Sequence, residues 1–577
     1  MSKTSKKRSK QTVNKKLPAI DILFDTILRH PFIFTALACI LLLPFGFAQW
    51  ENIGIEWIVL EAAIWIVAST ALIAFGSPGS SKKVNIYLIV SSIVLIVAFS
   101  VIVAQNELAA TYMFVPVLLG VLQIGVVLFR RGKLTADRLI VLLALLGIVA
   151  RYCYCLTYDV TTMQHDIGTY DGTHGHLSYI QYWYDNGLKL PAFNVTTRWQ
   201  FYHPPLHHIL MAFGMRIFTF FGMPLPMAHE AIQILPMIYS SLCIAAVWRI
   251  AKLIGLDGAG LVVAVSAVCF YPTFIIWSGA CNNDILMTLF VLLAMLWTLK
   301  WAQKPTLPRI LPIALCVGCG MMTKLSAWMV APAIAMVFLW VFIRNIKTPL
   351  RFIGQFAAFG AVCAPLGLWW GVRNLLTFKI PLTYVPDTKM EAMSVAHIPA
   401  AQRIFDFSLW QFDFPFEAFT FHGATYSEYN PMIGLLKTSV FDEFYEPWAL
   451  NWFSTALVIL AAVLTVIGVA ALIWMVCSKR TGMDLMTRLF FAVIVLTFVI
   501  SYYSFCFEFP YVCTENIRYC IPVIPILSIA TGFFINVFSE SGHKRSQPVN
   551  PYILRPENGC DRRSSGFCLA GEKAESF

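Results

Sequence analysis

Apolar residues run in blocks along nearly the whole chain. Most blocks are about 18 residues or longer, enough for a helix to cross the roughly 30 Å hydrocarbon layer of a bilayer. They fall at about 31–50, 57–75, 86–104, 111–129 and 139–156, then at 229–253, 259–277, 285–301, 310–322 and 326–343. The last four lie at about 352–370, 450–477, 486–504 and 519–538. The pattern predicts an all-α, polytopic helical membrane protein with about 14 transmembrane helices.

The polar connections alternate in sign. Lys82, Lys83, Arg130, Arg131, Lys133 and Arg138 follow the second and fourth blocks, whereas Glu51, Glu56 and Glu107 follow the first and third. Basic loops stay cytoplasmic, so the tail 1–30, with Lys3, Lys6, Lys7 and Arg8, is expected inside. An even number of spans returns the polar tail 539–577 to the same side. The rule places two long segments, 158–208 and 373–447, on the outer face. Within the first, Leu177, Ile180 and Tyr184 fall at helical spacing, which predicts a helix lying in the interface. The apolar stretch 204–221 is short and proline-led, and reads as interfacial or re-entrant.

Composition sharpens this reading. The chain is 58% hydrophobic and 13% charged, about half the charge of a soluble protein, with a mean hydropathy of +0.70. Its net charge of +11 is spread over short loops, where it sets orientation, and does not suggest a nucleic-acid partner. Most of the 15 cysteines sit inside apolar blocks without metal-ligand spacing, and Cys506 and Cys513 are close enough in sequence to pair. No cofactor is indicated. A divalent metal is possible but has no recognisable ligand set.

Chemistry concentrates between His165 and His208, which holds Asp166, Asp171 and six histidines, among them His176 and His203 beside Tyr202. A carboxylate at a membrane boundary can serve as a general base, and Asp166 and Asp171 are the candidates. Asn283 and Asp284 open the span near 285, where they suit both a helix cap and a site. Lys324 interrupts an apolar region between Met322 and Trp328, where it must snorkel, pair with an acid or bind an anion. Arg151, Arg373 and Arg518 also lie toward outer span ends. Together these cations would suit a phosphate.

Several of these residues stand in a known order. Asp166 is followed by a Gly-x-Leu-Pro-like bend from Gly187 to Pro191 and by His203-Pro204-Pro205-Leu206. Asn283-Asp284, Thr323-Lys324, Trp370-x2-Arg373-Asn374 and Arg518-Tyr519-x2-Pro522 come next. The series resembles the GT-C membrane glycosyltransferases, and more narrowly the protein O-mannosyltransferases and lipid A aminoarabinose transferases, over about 139–538. The resemblance implies a helical bundle with a site on the non-cytoplasmic face, a polyprenyl-phosphate sugar donor and an Asp base in the first outer loop. That role would fall to Asp166, with Asp171 the substitute. Arg151, His165, His176, Tyr202, His203, Asn283, Asp284, Lys324, Arg373 and Arg518 are the residues expected to bind substrates. Two departures stand out. About five spans, rather than one, precede the catalytic loop (31–138 is an addition), and His165-Asp166 replaces the family's Asp-Glu pair.

The expected activity is therefore inverting sugar transfer to a glycolipid, polymer or protein hydroxyl at the bacterial cytoplasmic membrane. A secondary transporter would need paired repeats of broken spans, which the sequence does not show. A non-catalytic assembly subunit would tolerate loss of Asp166.

Overall fold

The computed structural model describes residues 19–50, 109–130, 132–387, 391–407, 429–443 and 451–540. Its elements are helical, and the one β-type pairing among the described residues is a bridge between Ser394 and Tyr511. The described residues begin with α1 (Ala19–Arg29) and α2 (Pro31–Trp50), which meet at a bend of 105°. After them come α3 (Ala109–Arg130) and α4 (Ala136–Thr157). The expected spans at 57–75 and 86–104 lie outside the described residues.

The long polar segment after α4 contains α5 (His176–Asn186) and leads into α6 (Leu206–Phe220). At 11 residues α5 is about 16 Å long, too short to cross a bilayer. Leu177 and Ile180 on one side of it are completely buried. Next, α7 (Leu225–Ala231) runs into α8 (Ile234–Leu253). The block expected at 259–277 is divided into α9 (Gly258–Phe270) and α10 (Pro272–Ile276). The cause is local. Pro272 has no N–H and pushes Tyr271 into an extended conformation, with ψ of 127°.

Seven longer helices and several short elements complete the described bundle. They are α11 (Asp284–Gln303), α12 (Leu307–Thr323), a 3-10 turn (Leu325–Val330) that feeds α13 (Ala331–Arg344), and α14 (Pro349–Phe378). The short α15 (Ala400–Phe405) and α16 (Pro431–Phe441) precede α17 (Asn451–Cys477), α18 (Leu485–Glu508) and α19 (Val523–Glu540). Among the described residues seven helices are long and apolar enough to span a membrane, or nine if each of two bent runs counts as one. At 30 residues α14 outruns its expected bounds, so Arg373 stands on a helix rather than in the loop that follows.

Burial sorts the helices by position. α11 is apolar on every side and mostly buried, as a central helix must be. By contrast α13, α14, α17 and α18 leave most of their apolar surface open, with Leu350 81%, Val466 69% and Leu496 58% exposed. A belt of that kind belongs against lipid, because water-soluble proteins do not carry contiguous apolar patches of this size. Where helices must touch closely, small residues permit it. A Cβ on Gly260 of α9 would lie 2.1 Å from the Gly532 carbonyl oxygen of α19. Cys506 and Cys513 do not form the disulfide that their spacing allows, and both are free.

One expected ligand belongs to the bundle instead. Arg151 in α4 is fully buried and donates to Ser240 Oγ at 2.8 Å, Gly147 O at 2.8 Å, Cys269 O at 2.9 Å and Val268 O at 2.5 Å. The Val268 carbonyl would ordinarily accept from residue 272, which is the proline without an N–H. Arg151 therefore caps the broken end of α9 and is not available to a phosphate.

Candidate active site

The loop between α4 and α5 is folded onto the start of α5. Backbone N–H groups of His176 and Leu177 donate to the carbonyls of Asp166 and Ile167, at 3.0 and 2.9 Å. Two glycines make this contact possible. Gly168 and Gly175 both take positive φ, and a Cβ on Gly175 would sit 2.5 Å from the Ile167 oxygen. Asp166 itself holds φ of 52°, an unusual conformation for a side chain to occupy at no gain.

Asp166 and its neighbour are gripped from opposite sides. Asp166 Oδ2 accepts from Arg518 Nη1 at 3.1 Å, with 32% of the Asp166 side chain still open. His165 is buried between two acids of the later polar segment, with Nε2 donating to Asp442 Oδ1 at 2.7 Å and Nδ1 donating to Glu443 Oε2 at 2.9 Å. Its ring stacks on Trp277 with centroids 5.6 Å apart. Asn516 ties both grips together. It caps the short turn that carries Arg518 and donates to Asp442 at 2.9 Å and Glu443 at 2.8 Å.

The same charges set the protonation states. Burial works against a charged His165, but Asp442 and Glu443 outweigh it and raise its pKa to about 10, so it is an imidazolium at neutral pH. Burial raises the Asp166 carboxyl, yet Arg518 and His165 bring it below the ordinary carboxylate value. Burial, followed by the charge of Lys324, holds His203 well below its usual range, so it is neutral. Tyr202 keeps its proton, through burial and the nearby charge of Asp166.

On the facing side, Asp284 at the start of α11 forms an ion pair with Lys324, which ends α12. Asn283 Nδ2 donates to the Thr323 carbonyl at 3.0 Å and fixes those two helix ends together. Lys324 Nζ and Arg518 Cζ lie 5.2 and 5.1 Å from the ring centre of Tyr519, so the two cations share one aromatic ring.

These groups line one cavity of about 620 Å³. Asp166, His176, Tyr202, His203, Asn283, Asp284, Lys324 and Arg518 are brought together there, beside a wall that includes Met321, Leu325, Trp328, Met329 and Leu368. His176 also hydrogen-bonds His208 through Nδ1 and Nε2, 2.9 Å apart. The other candidates lie elsewhere. Asp171 is exposed and borders a separate polar cleft of about 450 Å³ with Gln181, Asp185, Arg198 and His229. Arg373 donates to Asn374 Oδ1 at 2.7 Å and to the Pro191 carbonyl, packed over Trp370 and Phe378 rather than lining the cavity. His165 is behind the cavity, occupied by its two acids. Among the described residues no group of three or more His, Cys, Asp or Glu is arranged to hold a metal ion.

Gln200, Asn374, Tyr384, Glu508 and Tyr519 also line the cavity, although none of them was expected to bind substrate. Tyr519 and Asn374 each directly follow a residue that was singled out, and Gln200 opens the Gln-Phe-Tyr-His run. No local pattern marks Asp442 or Glu443 as partners of a histidine some 277 positions away.

Comparison with known proteins adds a family likeness. Among solved structures, the chain is similar to the archaeal oligosaccharyltransferase AglB from Archaeoglobus fulgidus, determined with an inhibitory peptide and a dolichol-phosphate. Identity is 11% and the TM-score 0.34, over 72% of this chain and 53% of that one, so the chain spans about half of that protein's length. No curated protein sequence matches. Residues 202–369 match the family model of dolichyl-phosphate-mannose-protein mannosyltransferases, and over that region the resemblance to GT-C membrane glycosyltransferases read from the motifs is borne out.

Proposed function

We propose that the protein is an inverting glycosyltransferase that moves a sugar from a polyprenyl phosphate to an acceptor hydroxyl. The observation that carries this reading is a single cavity containing an ionised carboxylate, two cations on one tyrosine ring and an apolar wall. A polyprenyl-phosphate sugar has matching parts: an anion, an isoprenoid chain and a ring with hydroxyls. The family match over 202–369 supports the same donor chemistry.

In this reaction the acceptor oxygen attacks the anomeric carbon from the side opposite the phosphate. The C–O bond to phosphate breaks, and the leaving oxygen keeps the electron pair. Arg518 and Lys324 stabilise that charge, which grows as the bond lengthens. Asp166 takes the proton of the attacking hydroxyl. Both cations are matched by carboxylates at rest, so the donor phosphate has to compete with Asp166 and Asp284 for them. Competition has a useful consequence. As Arg518 turns to the phosphate, Asp166 loses part of the charge that depresses its pKa, and becomes a stronger base when the donor is in place.

The acceptor is a hydroxyl on a glycolipid, polymer or protein. The alternation of basic loops supports a multi-pass protein of the bacterial cytoplasmic membrane, with cytoplasmic termini and an extracytoplasmic site. Asp166→Asn tests the assignment. It preserves shape and hydrogen bonding but cannot take the proton, so transfer should fall by about 10²–10⁴-fold while lipid-phosphate binding persists. Asp171→Asn, outside the cavity, should cost little. A wild-type rate in Asp166→Asn would remove Asp166 from the chemistry.

A further inference from the structure

Gln200 is held in a state that the fold alone does not explain. It takes φ of 74°, left-handed backbone that a glutamine adopts only under constraint. The constraint is visible in the residue before it. The carbonyl of Trp199 accepts from Gly175 N at 3.1 Å, and the Trp199 N–H donates to His174 Nδ1 at 2.9 Å. The loop that carries Asp166 and the segment that carries Gln200 are thus locked in register.

The side chain is only 2% exposed and lines the cavity. Among the described residues its Oε1 is shielded from solvent and has no hydrogen-bond partner. A buried amide left unpaired is costly, because it has given up water for nothing. Two further unpartnered buried atoms line the same cavity, Arg518 Nε and Ser326 Oγ. Those two are donors beside the cations and suit phosphate oxygens. The carboxamide has a different chemistry: it both accepts from and donates to hydroxyls.

We propose that Gln200 is a specificity-determining residue that hydrogen-bonds the sugar ring of the lipid-phosphate donor. This inference rests on the proposed function and adds to it the residue that reads the sugar, as distinct from the groups that hold the phosphate. Strain and an unsatisfied amide are then the stability cost of a contact made only when a hydroxylated ring fills the cavity. A site built this way discriminates strongly against a ligand without the hydroxyl, since the amide is again left unpaired.

The experiment compares purified full-length protein in nanodiscs with its Gln200→Met and Gln200→Asn variants. Probes are farnesyl phosphate and farnesyl phosphates bearing a hexose, a pentose or an amino sugar. Wild type should bind one sugar-bearing lipid more tightly than farnesyl phosphate. In Gln200→Met that advantage should shrink by up to about tenfold, the value of one hydrogen bond, while farnesyl phosphate binds as before. The melting temperature of Gln200→Met should hold or rise, because an unpaired polar group is gone. Gln200→Asn tolerates the left-handed backbone but is shorter, so it should lose the same advantage without unfolding. An unchanged sugar advantage in both variants overturns the inference, as does a fall in melting temperature with no change in selectivity. If wild type binds farnesyl phosphate but no sugar-bearing lipid any better, the inference fails and the phosphate reading stands. If it binds none of the four, both fail together.

Discussion

Lys324 shows how one side chain can serve two roles. Its side chain is 12% exposed and paired with Asp284, whose side chain is 3% exposed. Breaking such a pair from one side leaves a buried charge alone and costs about 3–5 kcal/mol. Lys324→Met should therefore lower the melting temperature markedly, and adding Asp284→Asn should restore much of it. Binding of lipid phosphate should stay weak in the double variant, because the cation is still missing. Recovery of both properties together would show a purely structural pair. His165 makes a pH-dependent contribution of definite sign. With a folded pKa of about 10 and an ordinary value of 6.5, its stabilisation is complete below pH 6.5. Above that the unfolded ring releases its proton while the folded one keeps it, so stability declines as pH rises toward 10. Thermal melts from pH 6 to 10 should show this slope, and His165→Asn should flatten it.

Among elements, the junction of the Asp166 loop with α5 is the most demanding. Gly175 combines φ of 96° with a Cβ position 2.5 Å from a backbone oxygen. Gly187, at the far end of α5, has φ of 63° but open space around it. The comparison separates backbone strain from steric contact. Gly187→Ala should cost only the left-handed conformation, about 1–2 kcal/mol, and leave transfer nearly intact. Gly175→Ala should displace the loop and abolish most transfer as well. Equal activity in the two variants, measured on protein that retains its fold, would mean that loop position does not matter to Asp166.

At the scale of the whole molecule, the bundle is asymmetric along its axis. The cavity, α5 and the charged clamps gather at one end of α11, where Asp284 lies, and Lys304 and Arg309 follow its other end. Topology is thus testable with two positions. In a protein whose exposed Cys477 is replaced, Thr173→Cys should react with an impermeant thiol reagent added to intact cells. Lys347→Cys should react only after the membrane is opened. The reverse result would invert the protein and exclude an extracytoplasmic site.

The hydropathy pattern by itself determined that this chain is a helical membrane protein, because the length of an apolar helix and the thickness of a bilayer are both fixed by covalent geometry. It also located the polar segment with Asp166, His176, Tyr202 and His203, since a run so polar stands out against its surroundings. Local order of motifs pointed to Asn283, Asp284, Lys324 and Arg518. What the one-dimensional pattern could not supply was partnership. Arg151 and Arg373 look like Lys324 and Arg518 in sequence, each a cation near a span end. Only packing distinguished them, since a carbonyl freed by Pro272 claimed Arg151 and the Pro191 carbonyl claimed Arg373. Asp171 was likewise separated from Asp166 by the fold of a five-residue stretch, through glycine conformations that spacing does not encode. The acids that hold His165 come from a distant segment, and charge attraction operates across space without leaving a periodic trace in the chain. Tertiary structure decided which charges meet, and so which carboxylates face the two cations in the cavity.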